Sequence, residues 1–413
     1  MPEHTFNPAI VAPTFNNAAT LPAIIERLRL LNVPLFVVND GSTDGTGAFL
    51  ADYSARAENS GVTVITHERN QGKASAMQSG FAAAHLAGFT HAITIDTDGQ
   101  LDPEQIPQLI AKAKEQPTAL VIGVRDDHKS DYPSRSRFGR RFSNNLVRLE
   151  SGVRVNDSQC GLRAYPLGLV RAVKCQAQRF GYETEIITRA GWAGCPVAEV
   201  PVNCRYLPEG QRVSHFRPYV DSARAVLMHG RLLVRTLAPW PHTRWPGAAR
   251  AAWPTWKSLK EWISLKDAWH QLRHDESSHT MFATGLALGV FVANLPVYGG
   301  QTVLALYAAK RLHLHPAPVI IGTQASMPPI SFVLIAMAIY LGHMLLHGTW
   351  PISPADGWSF KAIWQLAPSL FASWALGSVI VGAVLAALTF ALSSIFFRFA
   401  LIRQPVAEPA KAD

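Results

Sequence analysis

Val38-Asn39-Asp40-Gly41-Ser42-Thr43-Asp44-Gly45 and, further along, Ile95-Asp96-Thr97-Asp98-Gly99-Gln100 decide how the first half of this chain folds. Each is a short apolar run that ends in carboxylates inside a glycine-containing turn. Working outward, apolar runs alternate with helical periods. Ala9–Pro13, Leu35–Val38, Val62–Thr66, Ala92–Ile95 and Ala119–Gly123 predict strands. Between them, 18–31 carries Leu21, Ile24, Ile25 and Leu28 at helical spacing, Asp44 stands where it caps a helix over 45–57, 71–87 predicts a helix, and Pro103 opens one to Lys114. This alternation predicts an α/β domain with a mostly parallel, helix-covered, Rossmann-like sheet. In such a sheet ligands bind outside the carboxyl ends of the strands, so Asp40, Asp96 and Asp98 are expected on one edge.

Residues 124–180 show no clear period, and Arg135, Arg137, Arg140, Arg141 and Arg148 crowd one stretch as a solvated face or a guide for an anionic acceptor or lipid headgroups. Beyond it, 182–193 predicts a helix, 197–202 a strand and 205–218 a flexible loop. Glu183 and Glu185 are two apart and cannot share a helix face; Glu185 is taken as the functional one and Glu183 as solvated. Lys73 fits a surface or structural lysine as well as a donor contact.

The 413 residues are 48% hydrophobic and only 16% charged, below the usual quarter or so, and carry a formal net charge of +9. That charge suits nucleic acid or anionic lipid; no nucleic-acid module motif is present, so lipid is the expected partner. Cys160, Cys175, Cys195 and Cys204 form no CxxC or zinc spacing and predict free thiols. The N-terminus lacks a basic segment followed by an apolar one, which predicts no signal peptide and a first domain on the cytoplasmic side.

The low charge is concentrated in the second half. Trp240, Trp245, Trp253, Trp256, Trp262 and Trp269 lie among prolines and basic residues, an interfacial signature or a tryptophan-anchored linker helix. Apolar blocks follow at about 281–309, 317–342 and 366–397. The second and third are long enough to span hydrocarbon. The first is interrupted by Asn294, Pro296, Gly299 and Gly300 and fits a hairpin that enters and leaves on one side; this also keeps Lys310, Arg311, Arg398, Arg403 and Lys411 inside. The expected domains are 1–235, a linker 236–278, a helical membrane domain 279–400 and a disordered tail 401–413.

The carboxylate turns carry chemistry. Two aspartates at i and i+2 on a strand exit can share a metal and a ribose. A nucleotide diphosphate leaving group gains charge as the sugar bond breaks, and a hard cation held by carboxylate and diphosphate oxygens neutralises it. A calcium loop is the competing reading of Asp40 to Asp44, but its twelfth position is Ala51, not Glu.

In order and spacing, these motifs resemble family 2 glycosyltransferases of GT-A fold, and among them the dolichyl- or polyprenyl-phosphate sugar synthases. The resemblance covers about 8–235. It runs through Pro13-Thr14-Phe15-Asn16-Asn17, Asn39 to Asp44, Asn70-Gln71-Gly72-Lys73, Asp96 to Gln100, Asp157-Ser158-Gln159-Cys160-Gly161-Leu162-Arg163, Tyr182-Glu183-Thr184-Glu185, Glu199-Val200-Pro201 and Ser214-His215-Phe216-Arg217. It implies that Pro13 and Asp40 stand at the nucleotide base, with Asn39 also in the donor site, Asp96 at ribose and sugar, Asp98 with Asp96 at Mg²⁺ or Mn²⁺, and Gln100 near diphosphate or metal. Lys73, Arg205 and Ser214 would complete the donor site, Asp157 and Arg163 the acceptor end, and Glu185 would orient arginine or sugar groups. Asn39 replaces a frequent aspartate and His215 a usual lysine; neutral imidazole carries no fixed charge near pH 7. Gly285-Leu286-Ala287-Leu288-Gly289, Leu295 to Thr302 and Pro328-Pro329 resemble the DUF2062 membrane domain.

The resemblance implies an inverting enzyme at the cytoplasmic face of the plasma (inner) membrane. It would move a sugar from a UDP- or GDP-sugar to a lipid carrier, polyprenyl phosphate foremost. A phosphate acceptor is already an anion and needs positioning and charge stabilisation more than a base; a hydroxyl acceptor would need Asp157 or Glu185 as base. A processive polysaccharide synthase and a non-catalytic membrane scaffold are the alternatives. Gln176-Ala177-Gln178-Arg179-Phe180 resembles the QxxRW of processive synthases only by chance spacing, with Phe for Trp.

Overall fold

Strand β1 (Pro8–Thr14) is buried from Ala9 onward and β2 (Leu35–Asn39) throughout, as apolar runs are when helices cover both faces of a sheet. The computed structural model describes residues 6–56, 61–126, 134–205, 217–245, 276–297, 299–326, 330–349 and 360–401. The sheet is completed by β3 (Val62–Thr66), β4 (His91–Thr94), β5 (Leu120–Arg125), β6 (Arg163–Pro166) and β7 (Val197–Val202). Its order is β3-β2-β1-β4-β6-β5-β7, and every pairing is parallel except those of β6 with β4 and β5.

Alternate residues of each strand face opposite layers. Ile10, Ala12, Leu35, Val37, Ile93 and Val121 pack under α1 (Leu21–Arg29) and α4 (Ile106–Glu115). Ala9, Val11, Phe36, Ala92 and Ile122 pack under α3 (Lys73–Leu86) and α7 (Gly181–Ala193). The remaining α-helices among the described residues of this unit are α2 (Thr46–Ala55), α5 (Ser134–Ser151), α6 (Leu167–Ala172) and α8 (Pro218–Leu237).

Three features depart from the expectation. The arginine-rich stretch is not irregular: α5 is an 18-residue helix. Its inward positions are Arg140, Ser143, Val147, Glu150 and Ser151, at helical spacing but mostly polar, so no apolar period marks them. The short β6, Arg163-Ala164-Tyr165-Pro166, wedges antiparallel between two parallel neighbours. Finally, Trp245 packs on Gly168 and donates its backbone N–H to Ala193, so the first compact unit continues past residue 235.

The chain divides into two compact units, Met1–Ala251 and Ala252–Asp413. In the second, the first apolar block breaks as expected into Glu276–Asn294 and Gln301–Arg311. Gln301 closes that turn by donating to the carbonyls of Ala293 and Leu295, and Asn294 donates to Val290. The second block is not one span. It splits into Pro316–Thr323, a 3₁₀ turn Gln324–Ser326 and Ile330–His347. Two prolines, 328 and 329, separate the pieces in sequence and supply no N–H to continue a helix. Ile330–His347 and Ser369–Phe397 are long and apolar enough to cross a membrane. Most of the tryptophan linker and residues 402–413 lie outside the described residues.

Ala338 and Gly342 meet Ser373 and Gly377, small residues four apart on each of two helices, the pattern that lets backbones approach closely. A Cβ on Gly377 would stand 1.8 Å from the Ala338 carbonyl oxygen, and one on Gly342 1.8 Å from that of Ser373. Gly377→Leu is therefore expected to separate Ile330–His347 from Phe360–Leu401 and destabilise the full chain by about 1–3 kcal/mol. Thermal unfolding in detergent checks it.

Candidate active site

The carboxyl ends of β1, β2 and β4 open into one cleft, because parallel strands release their loops on the same edge. Pro13, Thr14 and Phe15 border it from β1, Asp40 from β2, and Asp96, Thr97 and Asp98 from β4; Asn70, Gly72 and Lys73 face them from the entry to α3, and Arg179 and Phe180 from the turn before α7. The cleft is open to solvent.

The loops after β1 and β2 are latched together. Asn16 Oδ1 accepts from the Thr43 N–H, Ser42 Oγ from the Asn16 N–H, and Asp44 from the Ala18 and Thr46 N–H groups. Asn39 is buried and accepts from the Ser42 N–H; the residue that departs from the family's aspartate thus holds the turn. Asp40 is buried as well. It accepts the Gln71 and Gly72 N–H groups at 2.9 and 2.7 Å and pairs with His67 Nδ1 at 2.8 Å. Gly41 lies at φ +65°, where a Cβ would come 2.3 Å from the Arg69 carbonyl carbon. Asp40 and Gly41 therefore fix the segment that delivers Lys73.

Thr97 explains how Asp96 and Asp98 both reach the cleft. Its hydroxyl donates to the Pro13 carbonyl and accepts from Asn17 Nδ2, while its own carbonyl accepts from Thr20 Oγ1. With Thr97 turned inward, its neighbours turn outward. Asn17 Oδ1 is buried without a hydrogen-bond donor on this wall. Asp96 fits because position 161 is glycine: a Cβ there would lie 2.2 Å from Asp96 Oδ2.

Lys73 Nζ lies 2.5 Å from Asp96 Oδ1 and 3.0 Å from both Glu183 carboxylate oxygens. Burial opposes its charge, but Asp96 and Glu183 outweigh it and hold the ammonium well above the usual lysine range. Burial and the neighbouring Asp96 push the Asp98 carboxyl up to about 6, although it accepts the Gln100 N–H. Burial likewise raises Glu183, against the pull of Lys73.

Of the two glutamates on α7, the one that turns toward this cluster is Glu183, and it is buried rather than solvated. Glu185 points about half a turn away. It is fully buried, accepts from the Gln176 and Ala177 N–H groups and pairs with Arg189 and Arg231. The two glutamates do face different ways, and neither is solvated.

Asp157 and Arg163 are also structural in their contacts. Asp157 is fully buried, doubly bonded by Arg125 at 2.7 and 2.9 Å and approached by Arg140 at 3.3 Å. Burial tends to raise its carboxyl, but the hydrogen bonds and charge of Arg125, with Arg140, hold it below the usual range. Arg163 is fully buried and donates to the carbonyls of Cys160, Glu183 and Ser158, tying the 158–160 loop to the first turn of α7. Arg205 donates its backbone N–H to Gln100 and so stands beside the Asp96–Gln100 turn. Ser214 and His215 lie outside the described residues.

Sequence reading missed Glu183, Arg179 and Phe180. The last two belong to the segment dismissed as a chance QxxRW likeness, and that likeness was the available signal. Arg179 has φ 53° and packs on Gly72, where a Cβ would come 3.0 Å from its Cγ.

Residues 9–173 match the family described as glycosyl transferase family 2, and 264–405 match DUF2062, described as an uncharacterized protein conserved in bacteria. The chain thus carries a family 2 glycosyltransferase domain, with a GT-A-like sheet, followed by a DUF2062 region. An undecaprenyl-phosphate 4-deoxy-4-formamido-L-arabinose transferase of Shewanella sediminis (strain HAW-EB3) is 34% identical over 171 residues, 40% of this chain and 50% of that protein; the chain spans about half the length of this curated relative. Among solved structures, glucosyl-3-phosphoglycerate synthase from Mycobacterium tuberculosis with Mn²⁺, UDP and phosphoglyceric acid is 21% identical, with TM-score 0.42 over 56% of this chain and 78% of that one. The same enzyme with Mg²⁺ and UDP is 22% identical with TM-score 0.43, over 56% and 79%.

An ionised carboxylate is a better ligand for a hard cation than its protonated form, so any Mn²⁺ binding at Asp98 is expected to weaken as pH drops through about 6. The stability effect has the opposite sign. Its folded value lies above its ordinary 3.8, so ionised Asp98 destabilises the metal-free protein above about 6 and not below the ordinary aspartate range. Asp98→Asn is expected to melt higher than wild type in chelator at roughly pH 8 while losing the pH-dependent Mn²⁺ binding; paired melting and Mn²⁺ titrations check both. Arg163→Met would remove three charged hydrogen bonds to the carbonyls of Cys160, Glu183 and Ser158 and is expected to destabilise by about 3 kcal/mol, read as a lower melting temperature of the full chain.

Proposed function

We propose that the N-terminal domain transfers a sugar, with inversion, from a nucleoside-diphosphate sugar (UDP or GDP) to a lipid-linked phosphate, polyprenyl phosphate foremost. The observation that carries this reading is the state of the candidate bases. Asp157 is saturated by Arg125 and Arg140, Glu185 is enclosed by Arg189, Arg231 and two backbone N–H groups, and Glu183 holds Lys73 with both oxygens. None of the three is poised to take a proton from a hydroxyl. A phosphate nucleophile needs none.

The residues fit a divalent cation. Asp96, Asp98 and Glu183 bring three carboxylates near one lysine, and burial, with the neighbouring Asp96 charge, raises Asp98 against the pull of Lys73 and Arg125. Hard oxygen donors suit Mg²⁺ or Mn²⁺. Among the described residues no three His, Cys, Asp or Glu form a closed metal cage, so diphosphate oxygens and water would complete the shell around Asp98 and Asp96. Bound there, the metal would neutralise charge on the leaving diphosphate. Pro13 and Phe15 give the donor an apolar wall, and Asn17 offers a buried acceptor. Arg179, a quarter exposed beside Phe180 and 3.7 Å from Asp221, borders the cleft where an acceptor phosphate would meet a guanidinium. The apolar helices of the second unit would hold the domain at the cytoplasmic face of the plasma (inner) membrane, where the lipid is presented. The 34%-identical relative, whose name specifies undecaprenyl phosphate, supports the same acceptor class.

Detergent-purified full chain, supplied with Mg²⁺ or Mn²⁺ and a panel of UDP- and GDP-sugars, is expected to release nucleoside diphosphate from one donor only when polyprenyl phosphate is present, and chelator should abolish it. Release with other lipids but not with polyprenyl phosphate would move the acceptor assignment. No release with any pair would favour a scaffold.

A further inference from the structure

Every N–H of the Lys73 ammonium has a carboxylate oxygen to meet: Asp96 Oδ1 at 2.5 Å and the two Glu183 oxygens at 3.0 Å. Glu183 is buried, its side chain 4% exposed, whereas that of Asp96 is 29% exposed toward the cleft. The two oxygens of Asp96 are therefore differently engaged. One carries the lysine, and the other is walled by Gly161, where even a Cβ would lie within 2.2 Å. Asp98 is left as the carboxylate of the turn without a cationic partner in hydrogen-bond contact, and a single carboxylate is a weak ligand for a hard cation.

We propose that Lys73 is a resident counter-cation that keeps the donor-free cleft from taking up a divalent metal, so that metal enters together with the nucleoside diphosphate. Glu183 is the positioning residue of this arrangement: it clamps the ammonium from the protein side and leaves Asp96 as the partner that can let go. Diphosphate oxygens would supply both the missing ligands and the negative charge that draws the metal in beside the lysine. The inference rests on the reading of the cleft as a metal and nucleotide site, but it concerns binding alone.

The test is Mn²⁺ binding to the detergent-solubilised full chain without nucleotide, followed by the electron paramagnetic resonance signal of free Mn²⁺. Wild type and Lys73→Arg, which keeps the charge, are expected to bind weakly. Lys73→Met, which removes one positive charge from among three carboxylates, is expected to bind roughly tenfold tighter or better. Adding Asp98→Asn to Lys73→Met should remove that gain. Equal affinity in wild type and Lys73→Met would overturn the proposal, as would an equal gain in Lys73→Arg or a gain that survives Asp98→Asn. Melting curves of wild type and the three variants establish that each is folded. Because no turnover is measured, an error in the donor sugar or the lipid acceptor leaves this result unchanged; only the cation competition is at stake.

Discussion

One lysine shared by two carboxylates organises the N-terminal domain. Lys73 sits at the start of α3, Asp96 at the end of β4 and Glu183 in the first turn of α7. These elements are far apart in sequence, and their charges would be costly to bury singly. Held together, they fix the entry of two helices against the edge of the sheet. They also leave the cleft with more negative than positive charge, the condition that makes it attractive to a hard cation.

The surrounding scaffold serves that arrangement through hydrogen bonds and close packing. Asp40 fastens the backbone at 71–72, Arg163 fastens the Glu183 carbonyl and the 158–160 loop, Thr97 turns inward so that Asp96 and Asp98 turn outward, and Gly161 leaves room for Asp96. Several residues that look catalytic in a motif are thus supports for the few that face the cleft. A buried arginine with three carbonyl partners, or an aspartate with two arginines, is already satisfied and has little left to offer a substrate.

The second unit follows different physics. Its close contacts are between backbones at glycine and alanine, and its side-chain amides, Asn294, Gln301 and Gln324, donate to carbonyls of their own or adjacent turns. These amides act as local closures of helix ends.

The sequence by itself determined the alternating α/β order, the two-part organisation and the cleft edge that carries Asp40, Asp96 and Asp98. These follow from periodicity and from carboxylates placed at strand exits, both local properties. It could not show α5 as a helix, because its buried face is polar, nor the antiparallel β6, a four-residue strand with no pattern of its own. It could limit Glu183 and Glu185 to opposite faces but not say which face meets the cleft, since that depends on how α7 packs against the sheet. Only the tertiary structure decided that Asp157, Arg163 and Glu185 are enclosed by partners and that Lys73, Glu183, Arg179 and Phe180 gather at the site. Whether a charged side chain is a support or a tool is set by the partners that surround it, and for these residues nearly all the partners come from distant parts of the chain.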